Sequence, residues 1–300
     1  MTDFGFRRNL RNTLHLWWMR ISIALVVLLP FLLLSGLLIK SWSLVTSQSL
    51  VNLLFSSEWR PLQGHYGFLP FIVSSLWITG LSLLIAAPVC LLTSIYLTQY
   101  ARKWVLRFIH PVVDILAGIP SVIYGVWGIL IIIPVISEYI APFLGEEVSG
   151  YSILAGGAVL AIMIIPFILN IQIEVLKTVP DELAESSLAL GATRWQTVKY
   201  VVVKRALPGI ISAYGLGLSR AFGETIAVLM VVGNVARIPK GALQPGYPLP
   251  ALIANNYGEM MSIPMYDSAL MFAALVLFVV VLAFNFISRS VIWKYEKTVR

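Results

Sequence analysis

Six runs of about twenty mostly apolar residues limit what this chain can become more than any other feature. A hydrocarbon core of ~30 Å is crossed by about 20 helical residues. In lipid the backbone must satisfy its own polar groups, so each run is expected to be a helix. The runs lie at about Ile21 to Ile39, Phe71 to Leu97, Ile109 to Ile136, Ile153 to Ile171, Gly209 to Val235 and Ala269 to Ile287. The expected fold class is an all-α polytopic membrane protein with six transmembrane helices. With 59% hydrophobic residues, 12% charged residues and a mean hydropathy of +0.88, the chain is far too apolar for an ordinary soluble domain.

The basic residues orient the spans. Arg7, Arg8, Arg11, Arg20, Arg102, Lys103, Arg107, Lys177, Arg194, Lys199, Lys204, Arg205, Arg289, Lys294, Lys297 and Arg300 fall on one side, against Lys40, Arg60, Arg237 and Lys240 on the other. Both termini are therefore expected in the cytoplasm. On this reading 1–20 is a cytoplasmic segment, 21–39 the first span, 40–69 an extracytoplasmic loop, 70–288 the core and 289–300 a cytoplasmic tail. The net charge of +7 arises from these topology-setting tracts, so it does not imply a nucleic-acid partner. No small-residue cleavage site follows the first run, which is expected to remain as an anchor. The single cysteine, Cys90, excludes an internal disulfide.

The third run contains "AGIPSVIYGVWG". Pro120 removes a helical hydrogen bond, and Gly118, Gly125 and Gly128 allow close backbone approach. Such a break is tolerated where protein or water satisfies the freed groups. Two readings stand: a tight packing seam, or a lining of a path.

Between the fourth and fifth runs lies "EVLKTVPDELAESSLALGATRWQTVKYVVVKRALPGI", with a coupling segment at about 178–205. Pro180 suits a first helical turn, and Asp181, Glu182 and Glu185 favour the positive end of a helix dipole. A short helix is expected there, ended or bent at Gly191. Its small residues suit it to a groove on another protein.

The fifth run carries two charges, Arg220 and Glu224. A charge near mid-membrane costs at least ~2.5 kcal/mol on insertion scales, which asks for a partner or a use. Residues four apart share a helical face, so the two can pair as a structural ion pair. Alternatively, the fork of donors on a guanidinium matches a tetrahedral oxyanion, and Arg220 lines a path with Glu224 holding it when empty.

Glu185-Ser186-Ser187 followed by Gly191 resembles the "EAA---G" signature of permease subunits of bacterial ATP-binding-cassette importers. The resemblance implies a type I (MetI-like) importer core, a coupling helix formed by these residues, and docking on a cytoplasmic ATPase. The usual Leu-Pro pair beyond the glycine is replaced by Val203-Lys204, with proline only at Pro208, so a straighter helix is expected there. No "GxxxxGK[ST]" occurs, so the ATPase is expected on a separate polypeptide.

"SRAFGETIAVLMVVGN", "AGIPSVIYGVWG", "GATRWQTVKYVV" and "GFLPFI" further resemble the PstC-type membrane subunit of phosphate-specific importers. That resemblance implies a substrate path through Arg220 and Glu224, to which Thr225 adds a hydroxyl. It also implies a complex with a PstA-like permease, an ATPase dimer and an extracytoplasmic phosphate-binding protein, in a prokaryotic cell membrane. No cofactor or metal is expected. The alternatives are a PstA-type paralogue, a sulfate or molybdate permease, and a secondary transporter. An intramembrane enzyme is disfavoured because His15, His65 and His110 are far apart and no HExxH, CxxC or GxSxG pattern occurs. His110 and Asp114 share a helical face and are expected to be interfacial.

Overall fold

Each apolar run contributes to one of six helices long and apolar enough to cross a membrane in the computed structural model, which describes residues 3–258, 263 and 265–299. Arg300, one of the basic residues that orient the spans, lies outside the described residues. Besides a short helix at Leu50–Phe55, the helices in chain order are α1 (Asp3–Ser47), α2 (Leu69–Ile95), α3 (Lys103–Gly118), α4 (Ser121–Phe143), α5 (Ile153–Lys177), α6 (Asp181–Ala189), α7 (Arg194–Phe222), α8 (Ile226–Leu229), α9 (Leu249–Asn256) and α10 (Tyr266–Val299). Among the described residues the strands are one short antiparallel ribbon, with Trp59–Arg60 paired to His65–Tyr66.

Helix α5 is the axis of the bundle. It is apolar on nearly every side, and such a helix is stable only when surrounded. α2 packs along it most extensively, with α7, α3 and α8 around the remainder. Lipid tails are as apolar as leucine, so close van der Waals fit holds these helices together, and small residues mark where they meet. A Cβ at Gly128 would lie 2.6 Å from Val159 Cγ2 of α5, and one at Gly125 2.6 Å from the Met230 sulfur. At these two positions, the glycines of the third run are a packing seam.

Two runs differ from the expectation. The third is not one helix from Ile109 to Ile136. Ile119 and Pro120 are extended (ψ 130° and 141°), which separates α3 from the spanning helix α4. The physical cause is the residue pair: proline withholds an N–H and pushes its predecessor out of the helical region. The fifth run is not one span from Gly209 to Val235. α7 starts at Arg194, where Thr193 and Gln196 form a reciprocal capping box, and it stops at Phe222. The N–H groups of Gly223 and Glu224 turn back to the carbonyls of Arg220 and Ala221, each at 3.2 Å, closing the helix with tight three-residue turns. Helix α7 also contains a π turn at Val198–Val202, in the stretch where the missing Leu-Pro pair led to the expectation of a straighter helix.

Beyond that stop the chain climbs to the start of α5 as irregular backbone, and its polar groups find partners inside the protein. Ser152 caps α5 by accepting from Ala155 N–H at 3.2 Å. The next orphan donors, Ser152, Ile153 and Leu154 N–H, bond the carbonyls of Val231, Gln244 and Ala242 at 3.2, 2.9 and 2.8 Å. Two hydroxyls of α2 complete the arrangement: Ser74 and Ser75 accept from the N–H groups of Tyr247 and Leu249 at 3.1 and 2.9 Å. These bonds pair non-helical backbone within the protein, the condition for such backbone at membrane depth.

Candidate functional site

Arg220 is the third-from-last residue of α7 and lies beside the middle of α5. Its depth is set by packing one turn earlier, where a Cβ on Gly217 would meet Ile168 at 2.5 Å. That close approach brings the Arg220 guanidinium over the Phe167 ring, 4.9 Å from its centre. Phe167 lies near the midpoint of α5, so the charge sits at mid-span depth. The Arg220 side chain is nevertheless exposed on the surface of this chain. A guanidinium stacked on an aromatic face keeps the in-plane N–H donors at its edge available to a ligand.

The pairing of Arg220 with Glu224 expected from their spacing does not form. No ion pair within 4.0 Å joins them. The four-residue rule holds on a continuous helix, and this one ends between the two residues. Glu224 instead accepts from Ala227 N–H, at the start of α8, at 3.5 Å. Thr225 donates its hydroxyl to the Gly223 carbonyl at 3.2 Å. Arg220, Glu224 and Thr225 therefore cluster around a helix break at mid-span, with the cation turned toward α5 and the carboxylate toward α8.

The end of the run "VLMVVGN" has a structural explanation that the sequence alone did not reveal. Gly233 and Asn234 both take left-handed backbone (φ 90° and 53°), and Asn234 Nδ2 donates to the Leu229 carbonyl at 2.8 Å, capping α8. Asparagine is among the few side-chain-bearing residues that visit this region readily.

On the side of Lys177, α6 rests on the base of α7 through Ala184 and leaves its opposite face exposed. Glu185 and Ser186 are exposed, while Ser187 is half-buried and its hydroxyl lies 3.0 Å from that of Thr197 at the start of α7. Gly191 ends the helix with φ 85°, its N–H bonded to the Leu188 carbonyl at 2.9 Å, and no atom within 4 Å would meet a Cβ there. The glycine is required by its backbone angle and not by crowding. Leu183, Leu188 and Leu190 are 41%, 46% and 89% exposed, an apolar set with nothing over it in this chain. Arg194 reaches back to the Gln99 carbonyl and stacks on Tyr100, tying the base of α7 to the π-helical turn Tyr96–Tyr100 that follows α2.

His110 and Asp114, expected to be interfacial, turn toward Asn170 and Glu174 of α5. Those α5 partners lie more than fifty residues away in sequence, and no local pattern joins them to α3. Among the described residues no group of His, Cys, Asp and Glu is arranged to hold a metal ion.

Comparison with known proteins places this geometry. The family described as "Binding-protein-dependent transport system inner membrane component" matches residues 90–294. A phosphate transport system permease protein PstC of Xylella fastidiosa is 38% identical over 261 residues, covering 82% of this chain and 80% of the relative. The PstC of Haemophilus influenzae is 35% identical over 293 residues, with 92% of each chain covered. Among solved structures, an inward-facing MetNI methionine transporter aligns with a TM-score of 0.54 at 22% identity, over 76% of this chain and 94% of that one. A bacterial alginate importer aligns with a TM-score of 0.61 at 17% identity, over 95% of this chain and 99% of that one. At these identities the structural matches establish the shared fold.

Proposed function

The chain belongs to the family of binding-protein-dependent transport system inner membrane components, and from that premise we propose that it is the PstC-type permease subunit of an ATP-driven phosphate importer. It is a multi-pass protein of the cell membrane, and ATP is hydrolysed by a separate subunit. Its partners are that ATPase and an extracytoplasmic binding protein. We further assign it a second, PstA-like permease, two copies of the ATPase, and cytoplasmic termini, in keeping with the distribution of its basic residues.

The observation that carries the substrate reading is Arg220: a permanently charged fork at mid-span depth, stacked on Phe167, with no carboxylate bound to it. Such a group matches a tetrahedral oxyanion by bidentate hydrogen bonding. Being exposed on the side that this chain leaves open, it faces a path completed by the second permease. Glu224 and Thr225 line the same helix break. The exposed α6, with Glu185, Ser186 and Ser187 on it and Gly191 closing it, is the segment that docks on the ATPase. Closure of the ATPases on ATP moves it, and with it the base of α7, to which Ser187 ties it through Thr197.

Reconstitution of the whole complex tests this reading. ATP inside proteoliposomes and the binding protein outside should drive accumulation of phosphate in preference to sulfate. Equal accumulation of both ions would overturn the assignment of substrate.

A further inference from the structure

Below Arg220 the same face of α5 continues as a line of paired charges. Phe167, Asn170, Glu174 and Lys177 follow at steps of three and four residues, which sets them on one side of the helix over about 15 Å. Facing them, α3 presents His110 and Asp114, one turn apart. Asn170 Nδ2 donates to Asp114 Oδ1 at 2.8 Å. The other Asp114 oxygen lies 3.2 Å from His110 Nδ1, and His110 Nε2 lies 3.7 Å from Glu174 Oε1. Lys177 Nζ closes the series by donating to the same Glu174 oxygen at 2.8 Å.

Two properties of this seam decide its use. The first is exposure: the His110, Asp114, Glu174 and Lys177 side chains are between 36% and 63% exposed, although α5 is apolar enough to span a membrane. Charged groups so placed face water or protein and not lipid. The second is that the seam's donors already face carboxylates: Lys177 is held by Glu174, Asn170 by Asp114, and the His110 Nδ1 edge lies against Asp114. Arg220, at the head of the same face, is held by none. An anion therefore meets an open cation at Arg220 and an occupied one, Lys177, below it. Lys103 and Arg107 continue the α3 face toward the cytoplasm, where water and salt screen them.

We propose that the α3–α5 seam is the release half of the substrate path: Asp114 and Glu174 occupy His110 and Lys177 so that no second anion-binding site forms between Arg220 and the cytoplasm. Conduction requires binding favourable enough to enter and weak enough to leave, and the seam supplies the second condition. This inference rests on the reading of the chain as a phosphate permease.

The test uses the complete complex in proteoliposomes with ATP and graded inorganic phosphate in the lumen, reading the lumenal phosphate that halves uptake. Glu174→Gln removes the negative charge that holds Lys177, and the half-inhibiting concentration should fall about tenfold, the effect of one added hydrogen bond to a charged group. Glu174→Asp keeps the charge and should stay near wild type. The double variant Glu174→Gln with Lys177→Gln removes the freed cation and should return to within about twofold of wild type. A clasp that merely held α3 to α5 would leave the double variant at least as impaired as the single one, and that result overturns the proposal, as does unchanged inhibition in Glu174→Gln. If Glu174→Gln does not assemble, Asp114→Asn carries the same expectation through His110. A wild-type complex that accumulates no phosphate would refute the substrate reading instead, independently of the ratios among variants.

Discussion

The Arg220 guanidinium lies 4.9 Å from the centre of the Phe167 ring, and this contact, not an ion pair with Glu224, holds the cation at mid-span. Stacking of this kind contributes ~0.5 kcal/mol when exposed and about 2 kcal/mol when desolvated. Replacing Phe167 by leucine keeps an apolar side chain and removes the ring face. Phosphate uptake at low substrate should fall by about 2- to 30-fold, the range those energies span, with the complex still assembled. Initial uptake rates on purified, reconstituted complex check this.

Because the helix ends between them, Arg220 and Glu224 are expected to be energetically independent in this state. Single and double neutralisation, Arg220→Gln and Glu224→Gln, should give thermal-unfolding effects that add to within about 0.5 kcal/mol. Glutamine also retains an oxygen for Ala227 N–H, so Glu224→Gln alone should leave assembly intact. A coupling of 1 kcal/mol or more, by the order of a real pair, would restore the ion-pair reading.

Gly191 has open space around it but a backbone angle of 85°. Substitution by valine forces a β-branched residue into left-handed backbone at a cost of roughly 1–2 kcal/mol, or reshapes the end of α6. Asparagine tolerates that angle. Gly191→Val should therefore hydrolyse ATP without matching phosphate uptake, while Gly191→Asn keeps the ratio of phosphate moved to ATP consumed close to wild type. Parallel measurement of both rates decides it; normal transport by Gly191→Val would show that the end of α6 is not the docking element.

Asn234 combines a φ of 53° with a side-chain bond to the Leu229 carbonyl. Alanine loses both features and should lower stability by about 1–2 kcal/mol, whereas glycine keeps the backbone freedom and loses only the cap. The order wild type, glycine, alanine in melting temperature of the detergent-solubilised complex is the expected outcome.

The parts of this molecule written in local chemistry were legible from the chain. Apolar runs marked the spanning helices, Pro120 marked an interruption in the third run though not its division into two helices, and Pro180 with its acidic followers marked the start of α6. The stop after Phe222 was not legible, because Arg-Ala-Phe-Gly-Glu-Thr contains no proline and its apolar continuation reads as more of the same span. Beyond that stop the chain is held by tertiary bonds, Val231, Gln244 and Ala242 accepting from the first N–H groups of α5, and such partners leave no local signature. For the same reason the companions of the charged residues were missed. Phe167, Asn170 and Glu174 meet Arg220, Asp114 and His110 only once α5 is packed, and no local periodicity reports a contact across fifty residues.

The central claim is that the Arg220 guanidinium receives the transported anion, and uptake of radiolabelled phosphate by proteoliposomes carrying Arg220→Gln complex tests it most directly. With assembly verified and basal ATP hydrolysis retained, uptake should fall by about a hundredfold, as expected on losing charge-assisted hydrogen bonds to a dianion. Uptake at the wild-type rate in that variant would contradict the account.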